Sequence, residues 1–326
     1  MAALGKLFYI ALFLSMAGGT LSLAALLLGR VLHLTLPRWF LALLLAACLI
    51  PVCSPEVLLF SPERTVWIDG YLTAAVIWAA GGALGLAVLA VRACLAGRAL
   101  RRCLPCIDAR VLTLAGQCAR AAGLRRVPAV RFGTLPDPAC VTGLLRPTVL
   151  LNRDAARALS DNELRSVLSH EMTHIRRGHL LLERLADLVC ALHWFNPLIW
   201  LVRPDISLHC ETDCDRAALR TLRGAVSPAD YARTMLRLLE YSAGLDNRAG
   251  TELGALRFLH VRQRMRAILA RPARWRTALT AALLAALLLV AAAGSVCLSR
   301  DYFYPYPASM AGPEYADPGP ACSMPN

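Results

Sequence analysis

Charge is scarce in this chain, and acid is scarcer than base. Only 17% of the 326 residues are charged, against about 25% in a typical soluble domain. That leaves too little polar surface for an ordinary water-soluble enzyme, and 57% of the residues are hydrophobic, with a mean hydropathy of +0.51. Charge is absent altogether from three long runs, Leu7–Leu28, Gly70–Val91 and Thr277–Leu298. Each is long enough to cross a hydrocarbon core of roughly 30 Å as a helix. A fourth run, Trp39–Cys53, is shorter and ends in Pro51 and Cys53. The first run is longer than the apolar core of a cleaved signal, roughly 7–15 residues, and reads as an uncleaved anchor.

Other absences narrow the reading further. Twelve cysteines are present, but Cys48, Cys53 and Cys297 lie in or beside apolar runs, so they do not form a secreted disulfide framework. Cys103-Leu104-Pro105-Cys106 has no second CxxC to complete a zinc or redox set, and it reads as an ordinary juxtamembrane pair. No internal repeat is visible. The end of the chain, Ser299–Asn326, has no periodic apolar pattern and is rich in Pro, Tyr and Gly.

The net charge of +13 does not imply a nucleic-acid partner, because the basic residues are placed by the runs. Arg30 and Arg38 lie between the first two, Arg92, Arg98, Arg101 and Arg102 follow the third, and Arg271, Arg274 and Arg276 precede the last. Cytoplasmic flanks collect Arg and Lys, so these three places are expected inside. The acidic stretches around Glu56, Glu63 and Asp69, and around Asp301, Glu314 and Asp317, are then outside. Four alternating spans satisfy this pattern. The expected organisation is three transmembrane helices in 1–92 (about 7–28, 39–53 and 70–91), a polar domain over 93–275, a fourth span at 276–298 and a short extracytoplasmic tail at 299–326. The N-terminus and the tail are expected outside, in a mainly α-helical, multi-pass protein of the cell membrane. Gly81-x-x-x-Gly85 permits close helix packing and is a weak signal for a homodimer.

Within 93–275, Ala109–Ala122 reads as a helix, and "AVRFGTLPDPACVTGLLRPTVLLN" as short strands with turns at Gly133, Pro136–Pro138, Gly143 and Pro147. From Ser160 the period becomes helical. Ser160-Asp161-Asn162-Glu163 fits a capping box, and Leu164, Val167, Leu168 and Met172 follow at helical spacing. That helix carries His170-Glu171-Met172-Thr173-His174. Two histidines four apart share a helix face and can offer two nitrogens to one cation. Glu171 beside them can take a proton from a bound water and pass it to a leaving amine. Zinc suits the task, since it acidifies water without redox chemistry.

A third ligand is available in "SLHCETDCDRAAL", where a helical hairpin brings Glu211 back to the metal. His209 and Cys210 adjoin it, and neighbours on a helix diverge, so one of the three reaches the metal; Asp213 meets the same constraint. Asp215, one turn beyond Glu211, is placed to hydrogen-bond a ligand histidine. His179 is expected off the ligand face, at the surface or behind the ligands. His193, in "ALHWFNPLIW", is expected to be packed.

Together, "LSDNELRSVLSHEMTHIRRGHLL", "HWFNPLIWL" and "CETDCDRAAL", with "GLLRPTVLLN" upstream, resemble the BlaR/MecR antirepressor family of membrane zinc metallopeptidases. The resemblance is strongest over about Pro128–Leu219. It implies an α+β zincin-like (gluzincin) domain on the cytoplasmic side between spans 3 and 4. Within it, His170, His174 and Glu211 hold Zn2+, Glu171 is the catalytic base and Asp215 ends the ligand-helix motif. The implied activity is hydrolysis of a peptide bond in the chain itself or in a cytoplasmic repressor, as part of signal transduction. Antibiotic-sensing members carry a large penicillin-binding domain after the last span. Ser299–Asn326 is too short for one, so a beta-lactam response is not carried across. Two alternatives are a housekeeping HExxH membrane protease of heat-shock or CAAX type, and a non-catalytic receptor with a structural zinc site. The intact Glu171 argues against the second.

Overall fold

The computed structural model describes residues 2–31, 38–49, 71–133, 138–245 and 251–269, with the isolated positions 282 and 286. The proposed fourth span and tail, and the acidic loop before the third span, lie outside the described residues. The described part is mainly helical with one small mixed sheet.

Three apolar helices come first: α1 (Ala2–Val31), α2 (Arg38–Leu49) and α3 (Tyr71–Arg102). Two of them hold stretches long and apolar enough to cross a membrane, Ile10–Leu27 in α1 and Leu72–Arg102 in α3. In α3 the apolar side chains stay uncovered, Ile77, Leu84 and Val91 among them, as lipid-facing residues would be. The helix also runs past the expected boundary at residue 92, because nothing before Pro105 stops it. In the second run the described helix covers 12 residues, about 18 Å at 1.5 Å per residue. Its Phe40, Leu41, Leu44 and Leu45 are buried against the rest of the protein.

The polar segment begins with β1 (Leu104–Pro105) and α4 (Ala109–Ala121), which Asp108 caps by accepting from the Arg110 and Val111 amides. The expected strands form as β2 (Ala129–Phe132), β3 (Ala139–Thr142) and β4 (Thr148–Leu151). The sheet order is β1-β2-β4-β3; β2 and β4 are parallel, in register from Ala129 opposite Thr148, and both outer pairs are antiparallel. Central β4 is buried at all four positions, as its Thr-Val-Leu-Leu sequence requires of a strand covered on both faces.

After α5 (Arg153–Ala158) come α6 (Asp161–Arg177), α7 (His179–Leu192) and α8 (Pro197–Thr221), then α9 (Pro228–Leu245) and α10 (Thr251–Leu269). The expected hairpin is present as α7 and α8. Asn196 caps α8 through the Leu198 amide, with Pro197 at the first helical position, where its missing N–H costs nothing. Two apolar cores result. One joins α4, the sheet, α6 and α9 around Leu164, Leu168, Met172 and Tyr231. The other joins α1 and α2 to α7 and α8 around Leu26, Leu44, Val189 and Ile206.

The hairpin is tied to the first helices by polar contacts as well. Asn196 donates to the Ser15 carbonyl and hydroxyl at 2.8 Å, and His193 Nε2–H to the Cys48 carbonyl at 2.9 Å. His193 is therefore a packed residue, as expected. Gly81 and Gly85 press α3 onto this hairpin, with Trp194 over Gly81 and Ala191 over Gly85. The notch that the glycine pattern offers to a second copy is filled here from within the chain.

Candidate metal centre

The site is built on α6, and local chemistry fixes where that helix starts and stops. The Ser160 amide donates to Glu163 Oε2 at 2.8 Å and the Ser160 hydroxyl accepts from the Glu163 amide, completing the capping box. At the other end Gly178 adopts φ 68°, a left-handed conformation that suits glycine, and its amide closes on the last turn. Leu164, Leu168 and Met172 anchor one face in the core. His170 and His174, one turn apart, occupy the side toward α8, which delivers Glu211.

Three side chains then meet. His170 Nε2 and His174 Nε2 are 3.2 Å apart, His170 Nε2 is 3.3 Å from Glu211 Oε2, and His174 Nε2 is 3.4 Å from Glu211 Oε1. A tetrahedral cation with bonds of about 2.0–2.1 Å has ligand-to-ligand edges of about 3.3 Å. The donor atoms therefore already stand at the spacing such an ion requires, and a His, His, Glu set is one that zinc uses. The reading with Glu211 as third ligand agrees with this geometry. Cys210 points into the apolar core around α1 and α2, and His209 is not among the residues that converge.

Behind the triad lies a layer of buried polar groups. His170 Nδ1 is 3.0 Å from Asp215 Oδ1 and 3.1 Å from the Tyr231 hydroxyl, which itself donates to Asp215 Oδ1 at 3.0 Å. With Nδ1 as donor, Nε2 keeps its lone pair toward the cation position. Arg264 grips Asp215 with two hydrogen bonds of 2.9 Å and reaches Glu211 Oε2 at 2.9 Å. Asp215 was legible one turn beyond Glu211, whereas Tyr231 and Arg264 were not. Neither stands at a telling spacing from the motif; α9 and α10 bring them in from remote sequence.

The electrostatics follow from this packing. Burial pulls the His170 imidazolium down, but Asp215 and Glu211 outweigh it and hold its pKa up at about 10. Glu211 stays well below the usual carboxylate range: burial pushes it up, and Arg264 and the two histidines more than reverse that. The negative field that retains a proton on His170 is one a dication would also meet favourably. Glu171 is buried, and burial raises its pKa against the opposing pull of His174 and His170. It lines a cavity of about 400 Å³ with the triad, β3 residues Ala139–Val141, and an apolar wall of Val167, Met235 and Leu238.

Of the two places expected for His179, the structure has the one behind the ligands: it is 1% exposed, and the turn at Gly178 folds it back against His174, with ring centroids 5.2 Å apart. Asp213, beside it, ion-pairs with Arg177. Cys106 is packed in the core and the Cys103 thiol donates to the Ala99 carbonyl, so neither joins a metal-ligating group among the described residues.

With this geometry in view, comparison with known proteins is informative. Residues 61–268 match the BlaR1 peptidase M56 family. The chain belongs to this family. The match covers α3, the sheet, α6 and the α7–α8 hairpin, and it bears out the resemblance read from the motifs. Among relatives of this M56 peptidase chain, the regulatory protein BlaR1 of Bacillus licheniformis is 35% identical over 80 residues, 24% of this chain and 13% of that protein. The methicillin resistance mecR1 protein of Staphylococcus aureus is 27% identical over 93 residues, 28% of this chain and 16% of the relative. The chain thus spans a small part of the relatives it matches.

Proposed function

We propose that this M56 family member is an integral membrane zinc endopeptidase that acts in signal transduction. His170, His174 and Glu211 hold Zn2+ and Glu171 is the general base. The observation that carries the reading is the convergence of two imidazole nitrogens 3.2 Å apart on one carboxylate, whose Oε2 lies 3.3 Å from His170 and whose Oε1 lies 3.4 Å from His174, with a buried carboxyl on the same helix beside them.

When bound, the cation would lower the pKa of its water towards about 7 and would polarise the scissile carbonyl. Glu171 accepts the proton that the water gives up and passes it to the departing amine, so one carboxyl serves as base and then acid. Its burial suits that exchange, because a carboxyl held above its ordinary value gives up and regains a proton more readily near neutrality. His170 is kept in one tautomer by Asp215 and Tyr231, and Arg264 balances Glu211 and Asp215. The substrate is an extended peptide lying along β3, which among the described residues pairs with β4 alone and lines the cavity with Ala139–Val141. The wall of Val167, Met235 and Leu238 receives an apolar side chain next to the cut.

The domain is assigned to the cytoplasmic side between the third and fourth of four spans. The substrate is the chain itself or a cytoplasmic protein such as a transcriptional repressor, and the arginine distribution supports that orientation. Purified in detergent, the protein is expected to carry one zinc and to cleave a peptide. Glu171→Gln should keep the metal and lose about 10²–10⁴ of the rate; unchanged cleavage in that variant removes Glu171 from the mechanism. Glu211→Ala should release the zinc and His209→Ala should not.

A further inference from the structure

A second cluster of donor atoms lies directly behind the first. His174, His179 and Cys214 each offer a ligand atom, all within 4.8 Å of one another. His179 Nδ1 stands 3.1 Å from Cys214 Sγ, somewhat inside the edge of about 3.6 Å expected for nitrogen and thiolate on one tetrahedral zinc. Both side chains are buried, at 1% and 0% exposure. The other His179 nitrogen, Nε2, is buried and faces Asp213 Oδ2 at 3.4 Å.

The pattern repeats that of the first site. There a ligand histidine, His170, is backed by a carboxylate of α8, Asp215. Here His179 is backed by Asp213, two residues earlier on the same helix, and a carboxylate behind a ligand imidazole is what orients it toward a metal. Two backbone features assemble the cluster: the left-handed turn at Gly178, and the close packing of α8 against α6 and α7.

We propose that His174, His179 and Cys214 form a second, weaker site for a soft divalent cation such as zinc, with Asp213 orienting His179. The two sites share His174, so filling the second perturbs a ligand of the first and lowers its activity. The binding part stands on geometry alone; the inhibition rests on the peptidase reading above. With both sites filled, His174 ligates through both ring nitrogens as an imidazolate, so binding at the second site releases two protons to solvent, one from the Cys214 thiol and one from His174.

The test titrates the full chain, purified in detergent and stripped of metal, with Co(II) alone. Two equivalents are expected. Only the second should produce the near-ultraviolet thiolate-to-cobalt charge-transfer absorption, with proton release. Cys214→Ser should abolish that absorption and His179→Gln should weaken the second equivalent at least tenfold, both leaving the first unchanged. Saturation at one equivalent, or a thiolate band that survives Cys214→Ser, overturns the site; should Cys214→Ser fail to fold, His179→Gln decides alone. Zinc beyond the first equivalent should inhibit peptide hydrolysis in the wild type and less in His179→Gln. Two equivalents with no hydrolysis at any loading keep the second site and remove the peptidase reading.

Discussion

Asp215 has no exposed surface and four hydrogen-bonding contacts, one to His170, one to Tyr231 and two to Arg264. A buried carboxylate so placed decides which nitrogen of His170 faces the cation. Asp215→Asn preserves the shape but loses the charge, and zinc affinity is expected to fall about 10–100-fold, measured by competition with a chelator. Tyr231→Phe should show a smaller loss of the same kind. His170 and His174 were readable as a pair because residues four apart share a helix face, and Asp215 stands in the same relation to Glu211, whereas the choice of Glu211 over His209 and Cys210 came from the family resemblance. Arg264 was hidden among several arginines of α10, and only tertiary packing selects it.

A titration follows from Glu163. The Ser160 amide lowers its pKa below 4.5 by hydrogen bonding, burial opposes this, and the Ser160 hydroxyl and Arg237 assist. An acid with a depressed folded-state pKa stabilises the protein above its unfolded value and loses that contribution as pH falls through the folded value. The difference in thermal midpoint between wild type and Glu163→Gln should therefore be present at neutral pH and shrink as the pH is taken below 4.5. The pair with Arg237 is half in solvent, so most of the effect belongs to the cap.

At the scale of elements, α6 depends on its ends. Ser160→Ala removes the hydroxyl of the capping box and should cost about 1 kcal/mol, read from denaturant unfolding. The α3 contact depends on absent side chains. A Cβ on Gly81 would overlap the Trp194 indole, so Gly81→Ala should destabilise by about 1–3 kcal/mol through overpacking. Gly97 on the same helix has open space around it, and Gly97→Ala should be neutral or stabilising. Caps, turns and strand lengths were legible because each is decided within a few residues. The pairing of β2 with β4, which skips β3, was not, since strand partners are chosen by the whole core.

Across the whole molecule the metal centre ties together segments from both cores: α6 and α9 belong to one, and α7 and α8 also pack in the other. A cation bound only by the folded state adds RT ln(1 + [L]/Kd), about 2.7 kcal/mol at a hundredfold excess over Kd. Chelation is accordingly expected to lower the thermal midpoint reversibly, and Glu211→Ala should be insensitive to chelator. The sequence suggested a membrane part and an enzymatic part joined at residue 92; the structure has α1 and α2 sharing one apolar core with the hairpin that carries Glu211.

That shared core bears on any attempt to handle the catalytic segment alone. A fragment cut at residues 93–275 would bare the faces of Ala186, Val189, Ile199 and Ile206 that α1 and α2 now cover. Such a fragment should clump in plain buffer, and should be rescued when residues 1–92 are co-expressed as a separate polypeptide. The first helices would then be serving as an intramolecular chaperone for the arm that brings Glu211 to the metal.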